Sequence, residues 1–202
     1  MHPQTAPSRG RPREFELEHA LRLAIEVFRQ RGYTATSIVD LMEGMQLSRG
    51  SFYKAFHDKK TLFAAAYDLY AAEGKERLRA TARTGGTGRE RIKAVLELYA
   101  ELSASPDGQR GCLVVATAIE LSLHDPDIAR RVTASWKSTE TLLGELLRQA
   151  EEDGSIGMLE DRQATARSLL CLMQGMRLVG KSAAHGKAGF VAVVGQAMKI
   201  ID

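Results

Sequence analysis

Cysteine is nearly missing from this 202-residue chain, which has two, Cys112 and Cys171, far apart in sequence. Such a pair makes neither a disulfide framework nor a zinc pattern. Prolines number five, aromatics are 6% of residues, and no run of β-branched residues alternates with polar ones, which argues against strands. No apolar run approaches the roughly 20 residues that cross a bilayer, and the N-terminus lacks the apolar core of a signal peptide, so a cytoplasmic location is expected. The usual marks of catalysis are also missing. The five histidines are scattered, no Ser/His/Asp order or metal-ligand spacing recurs, and no Gly-rich phosphate loop follows a strand. The expectation is a protein that is not an enzyme and needs neither cofactor nor metal.

What remains is an ordinary apolar share of 44% with 26% charged residues, enough at this length for a full core. The apolar residues recur at three- and four-residue steps throughout, so the fold class expected is all-α. Charge is unevenly spread. Residues 1–60 hold ten Lys/Arg against seven Asp/Glu, and the remainder holds eighteen of each, so the whole net charge of +3 sits in the N-terminal third. That sign suits a polyanionic partner.

The stretch Thr36 to Leu62, TSIVDLMEGMQLSRGSFYKAFHDKKTL, organises the chain. Ser37 caps a short helix through Ile38, Leu41, Met42 and Met45, with Asp40 placed for a capping box. Ser48 caps a second helix in which Phe52 and Phe56 share a buried face, while Arg49, Gly50, Ser51, Tyr53 and Lys54 face outward. A free helix N-terminus with no carboxylate suits approach to phosphates and base edges. Before it, Glu14 to Arg31 has helical spacing and Gly32 stops it. Met1 to Arg13 has no apolar period and is expected to be a disordered basic arm.

The spacing Leu41, Leu47-Ser48-Arg49-Gly50-Ser51-Phe52-Tyr53, Phe56, Asp58-Lys59 and Leu62-Phe63, with Gly32-Tyr33 before it, resembles the tetracycline-repressor-like (TetR) family of bacterial transcription regulators. Two positions depart from the pattern. Met42 stands where alanine is usual, and Gln46 replaces the glycine common in the turn, where a left-handed backbone costs a non-glycine residue about 1 kcal/mol or more. Gly44 beside it is expected to give slack. Arg9-Gly10-Arg11-Pro12 is similar to the core of an AT-hook, placing Arg9 and Arg11 as minor-groove contacts.

The resemblance implies a helix-turn-helix head over residues 14–60 and a helical ligand-binding and dimerisation body over 61–202, following the arm of residues 1–13. It implies a double-stranded DNA operator, a homodimer and a small-molecule inducer. Arg49, Gly50 and Ser51 would face base edges next to the capping Ser48, while Thr36, Ser37, Tyr53, Lys54, His57 and Lys59 would hold phosphates. In the body, helices are expected over Lys59–Arg83, Arg89–Ser105, Cys112–Leu123 (buried, with Glu120 its one charge), 126–153, 161–184 and Phe190–Ile201, with residues 84–88 a flexible linker. The helices 126–153 and 161–184 would pair with a second subunit. Phe63, Tyr67, Tyr99, Leu102, Val115, Ile119, Trp136 and Met173 would wall an inducer cavity for a mostly apolar molecule. Cys112, after Arg110-Gly111 at a helix start, is placed for thiol reactivity as well as for that wall, while its apolar neighbours Leu113, Val114 and Val115 favour a small buried hydrophobe. A ligand-blind architectural DNA-binding protein and a thiol-based sensor are the competing functions.

Overall fold

A computed structural model describes residues 11–84, 86–182 and 186–202, the first six of them by backbone alone. Ten helices and no strand occur among the described residues: α1 (Arg11–Arg31), α2 (Ile38–Gly44), α3 (Arg49–Ala55), α4 (Lys59–Ala82), α5 (Gly88–Ala104), α6 (Pro106–Gln109), α7 (Leu113–Leu121), α8 (Pro126–Glu152), α9 (Arg162–Gly180) and α10 (Lys187–Met198). The chain divides into two compact units, Met1–Leu69 and Tyr70–Asp202, so the division falls inside α4 rather than after residue 60.

In the first unit, α1 begins earlier than the sequence suggests. Arg11 and Pro12 open the helix instead of continuing an extended arm, because proline in a first helical turn needs no N–H partner and already has a helical φ. Residues 1–10, Arg9 among them, lie outside the described part. Gly32 takes φ +79° and donates its N–H to Phe28 O, ending α1. Phe28, Leu41, Phe52, Phe56, Leu62, Phe63 and Tyr67 are buried together, and the Phe28 and Phe63 rings meet edge to face at 4.9 Å. Gly44 supplies close approach rather than slack: a Cβ there would fall 2.4 Å from Val27 Cγ2.

The second unit is built around α5, which packs on α8, α9 and α10. Leu96, Leu143, Leu147, Leu169 and Met173 are fully enclosed in one continuous core, each contributing about 1.5–3 kcal/mol of apolar burial. The expected linker is partly structural. Thr87 caps α5 in a capping box with Glu90, and Gly88 is buried so tightly that a Cβ would lie 2.3 Å from Ala150 N. The expected buried helix at Cys112–Leu123 is shorter and only half enclosed: α7 ends at Leu121, Ile119 is 67% exposed, and Leu123 is exposed beyond the helix end. A uniformly apolar sequence has no stripe to say which face is covered. Proline at N1 sets the backbone of a short helical turn, Pro106–Gln109, between α5 and α7.

Candidate nucleic-acid interface

The α2–α3 pair forms as its caps require. Ser37 accepts from Asp40 N at 3.1 Å, and the Asp40 carboxylate accepts from Ser37 N at 2.8 Å. The Ser37 hydroxyl, which also donates to Asp40 Oδ2 at 2.7 Å, and then the Ser37 N–H, aided by Arg31 at 2.5 Å, hold the Asp40 carboxyl below its ordinary range. The turn that follows bends at Gln46, whose φ of +56° is the left-handed conformation for which glycine is usual. Ser48 then caps α3 by accepting from Ser51 N at 3.2 Å, with its hydroxyl on Ser51 Oγ at 3.0 Å.

Phe52 is the buried anchor of α3, touching Phe56 at 5.9 Å and Tyr53 at 5.4 Å between ring centroids. The remaining positions point away from that core. Ser48, Arg49, Gly50, Ser51, Lys54 and His57 are exposed, and Tyr53 is 46% exposed with the Arg49 guanidinium 5.9 Å from its ring centroid. A Cβ added at Gly50 meets nothing within 4 Å. No residue of α3 is acidic, so its N–H-bearing end and its two cations present one sign of charge.

Two expected phosphate ligands are placed otherwise. Thr36 is 1% exposed and donates its hydroxyl to Gly32 O, so its side chain closes the α1–α2 connection rather than reaching a phosphate. Lys59 is half-buried, and its ammonium donates to Tyr33 O at 2.9 Å and Thr36 O at 2.8 Å while lying 4.3 Å from the Tyr33 ring centroid. It therefore clasps the start of α4 to the α1–α2 connection, on the far side of the α2–α3 pair in sequence. Ser37 stays exposed, with its hydroxyl committed to Asp40.

The expected cavity wall is only partly brought together. Phe63 and Tyr67 are enclosed in the aromatic core of the first unit, because the helical stripe they share with Leu62 and Ala66 packs there. Ile119 points to solvent. Tyr99, Leu102, Cys112 and Trp136 are half-buried, and Val115 and Met173 are buried, all in the second unit. Tyr99 is the polar centre of that group. Burial, and then the neighbouring Cys112, pushes its phenol up to about 12, against hydrogen bonding with Gln174 and the charge of Arg177. Gln174, Thr139 and Arg177 escaped the sequence reading. Arg177 lay open to detection, since it stands four residues after Met173 on the apolar stripe of α9. No group of three His, Cys, Asp or Glu able to hold a metal occurs among the described residues, and no described helix is long and apolar enough to cross a membrane.

Two family models match the chain: residues 20–66 match the bacterial regulatory proteins of the tetR family, and residues 88–189 match the tetracyclin repressor-like C-terminal domain. An uncharacterised HTH-type transcriptional regulator of Bacillus subtilis, YezE, is 33% identical over 79% of this chain and 83% of its own. The HTH-type transcriptional repressor ComR of Escherichia coli is 30% identical over 88% of this chain and 85% of its own. Among solved structures, a cysteine mutant of the TetR family regulator CifR, complexed with a 26 bp double-strand operator DNA, superposes with TM-score 0.80 at 25% identity and covers 98% of both chains.

Proposed function

The chain belongs to the TetR family of bacterial regulatory proteins and is a DNA-binding transcriptional regulator, and we propose that it acts as a homodimeric repressor released from a palindromic operator by a small molecule. The observation that carries the DNA reading is the exposed, carboxylate-free face of α3, with Arg49, Gly50 and Ser51 at its capped start and Tyr53 and Lys54 one turn on. Arg49 reads a base edge, the commonest such contact being arginine to guanine, while Tyr53, Lys54 and His57 hold phosphates.

Dimerisation uses the outer face of α9. Ser168, Cys171, Leu172, Gly175 and Val179 line an open apolar groove with Phe190 of α10, a surface suited to a second copy of the same face. Ligand in the body favours a separation of the two heads that no longer matches major grooves about 34 Å apart, and operator affinity falls.

The test is affinity for a duplex selected from a random pool against a scrambled duplex of equal length, at one salt concentration. Arg49→Ala is expected to cost about 1–3 kcal/mol on the selected duplex and to relax preference at one base pair. Equal affinity for selected and scrambled duplexes would leave only an architectural DNA-binding protein.

One observation favours a second mode of release. Cys112 is half-buried at the N-cap of α7, its side chain makes no capping hydrogen bond, and the Lys181 side chain lies over the adjacent Gly111, 3.2 Å from where a Cβ would stand. Hydrogen peroxide oxidises such a thiol to sulfenic acid with loss of water, adding a polar oxygen beside Tyr99. DNA release by dilute hydrogen peroxide that Cys112→Ser abolishes is the expected sign of this mode.

A further inference from the structure

Two arginines are buried among the described residues, and they differ in one respect. Arg29, 5% exposed, pairs with the carboxylate of Glu26 at 3.0 Å. Arg177, 4% exposed, has no carboxylate partner among the described residues; its guanidinium donates to a single acceptor, Leu102 O, in the last turn of α5. A guanidinium carries five N–H donors, and an ion withdrawn from water is expensive unless it is paired and its donors are used. One carbonyl is a poor return for that cost. One turn beyond Arg177, α9 and α5 are in close contact, since a Cβ at Gly180 would fall 2.5 Å from Ser103 O.

The groups around Arg177 are neutral hydrogen-bonding side chains. The Tyr99 hydroxyl lies within electrostatic reach of Arg177, Cys112, Gln174 and Thr139. Its phenol is desolvated enough to be pushed up to about 12, yet Tyr99, Cys112, Thr139 and Gln174 all keep part of their surface accessible, so packing does not close this ring of polar groups. One turn from Thr139, on the same side of α8, Trp136 Nε1 is buried with no acceptor among the described residues. On α7, the helix that Cys112 begins, Thr117 Oγ1 is buried without a partner. Donors therefore outnumber acceptors here: an under-used cation, a phenol, an amide and an orphaned indole N–H.

We propose that the body holds its effector by an anionic group, a carboxylate on a small apolar or aromatic molecule, seated against Arg177 and the Tyr99, Gln174 and Thr139 side chains. This rests on the reading of the chain as a ligand-released repressor, and it sharpens the ligand from mostly apolar to an amphipathic acid. A carboxylate accepts two parallel N–H groups from one guanidinium, and its apolar body would lie along Trp136.

Trp136 is the single tryptophan of the chain, so its emission reports on this place directly. The experiment titrates the full-length protein with straight-chain monocarboxylates from acetate to octanoate and with benzoate, each against its primary amide, at constant ionic strength. Trp136 emission and operator affinity are both read. At least one acid is expected to shift the emission saturably, to bind about tenfold or more tightly than its amide, and to weaken operator binding. Arg177→Met should erase the preference for acid over amide. Should that variant fail to fold, Tyr99→Phe, which leaves the Leu102 bond intact, should weaken the acid more than its amide. An amide binding as well as its acid would overturn the anionic assignment and leave the ligand reading standing. No response to any acid would overturn it as well. Saturable acid binding with unchanged operator affinity would uphold the anion site and defeat the repressor-release reading instead.

Discussion

Lys59 carries three N–H groups, and two of them end on the carbonyls of Tyr33 and Thr36. A lysine whose ammonium only met a phosphate would be solvated in the free protein, and removing it would not touch stability. Here Lys59→Met should cost about 1.5–3 kcal/mol of unfolding free energy, the range for a hydrogen-bonded charge, measured by denaturant titration without DNA. A loss of DNA affinity with unchanged stability would restore the simple phosphate role. Gly50 tests the opposite face. Nothing lies within 4 Å of a Cβ there, so Gly50→Glu should change stability by no more than about 0.5 kcal/mol while abolishing binding to duplex, read by thermal melting and fluorescence anisotropy. At this scale the sequence spoke clearly where the physics is local. Ser37, Ser48 and Gln46 could be read from their neighbours, because caps and turns are satisfied within four residues. Thr36 could not, since the group that covers it, Lys59 at the start of α4, lies far along the chain.

At the level of helices, packing overrules propensity in α5. Alanine favours a helix over glycine by about 1 kcal/mol, yet a Cβ at Gly88 would press on the backbone of Ala150 at 2.3 Å. Gly88→Ala should therefore destabilise the protein, by about 1–3 kcal/mol, and a melting temperature at or above that of the unsubstituted chain would contradict the α5–α8 contact. Its carboxylate neighbours tell the same story: Gly88 N donates to Asp153 Oδ2 at 2.6 Å, so the end of α8 caps the start of α5. This is why residues 86–88 are an anchored corner and not the linker that their composition suggests. Helix positions with a clear stripe, α8 and α9 above all, followed from periodicity. The run from Cys112 to Leu123 did not, because an apolar sequence without a polar face fits a buried helix and a partly exposed one equally well.

At the scale of the whole molecule, the first unit presents the charge and the second offers surfaces to join. The groove along α9 is open at Gly175, where an added Cβ meets nothing within 4 Å. Gly175→Arg should leave each chain folded and turn the proposed homodimer into a monomer, as sedimentation would report; a folded dimer would place the interface elsewhere. The central claim is that two such chains present two α3 helices to one duplex. Its most direct measurement is a stoichiometric titration of the full-length protein into a labelled palindromic duplex, held far above the dissociation constant, beside a duplex carrying one half-site. The account predicts a break at two chains per palindrome, and affinity for the half-site weaker by about a hundredfold or more. A break at one chain per palindrome, or equal affinity for the two duplexes, would contradict it.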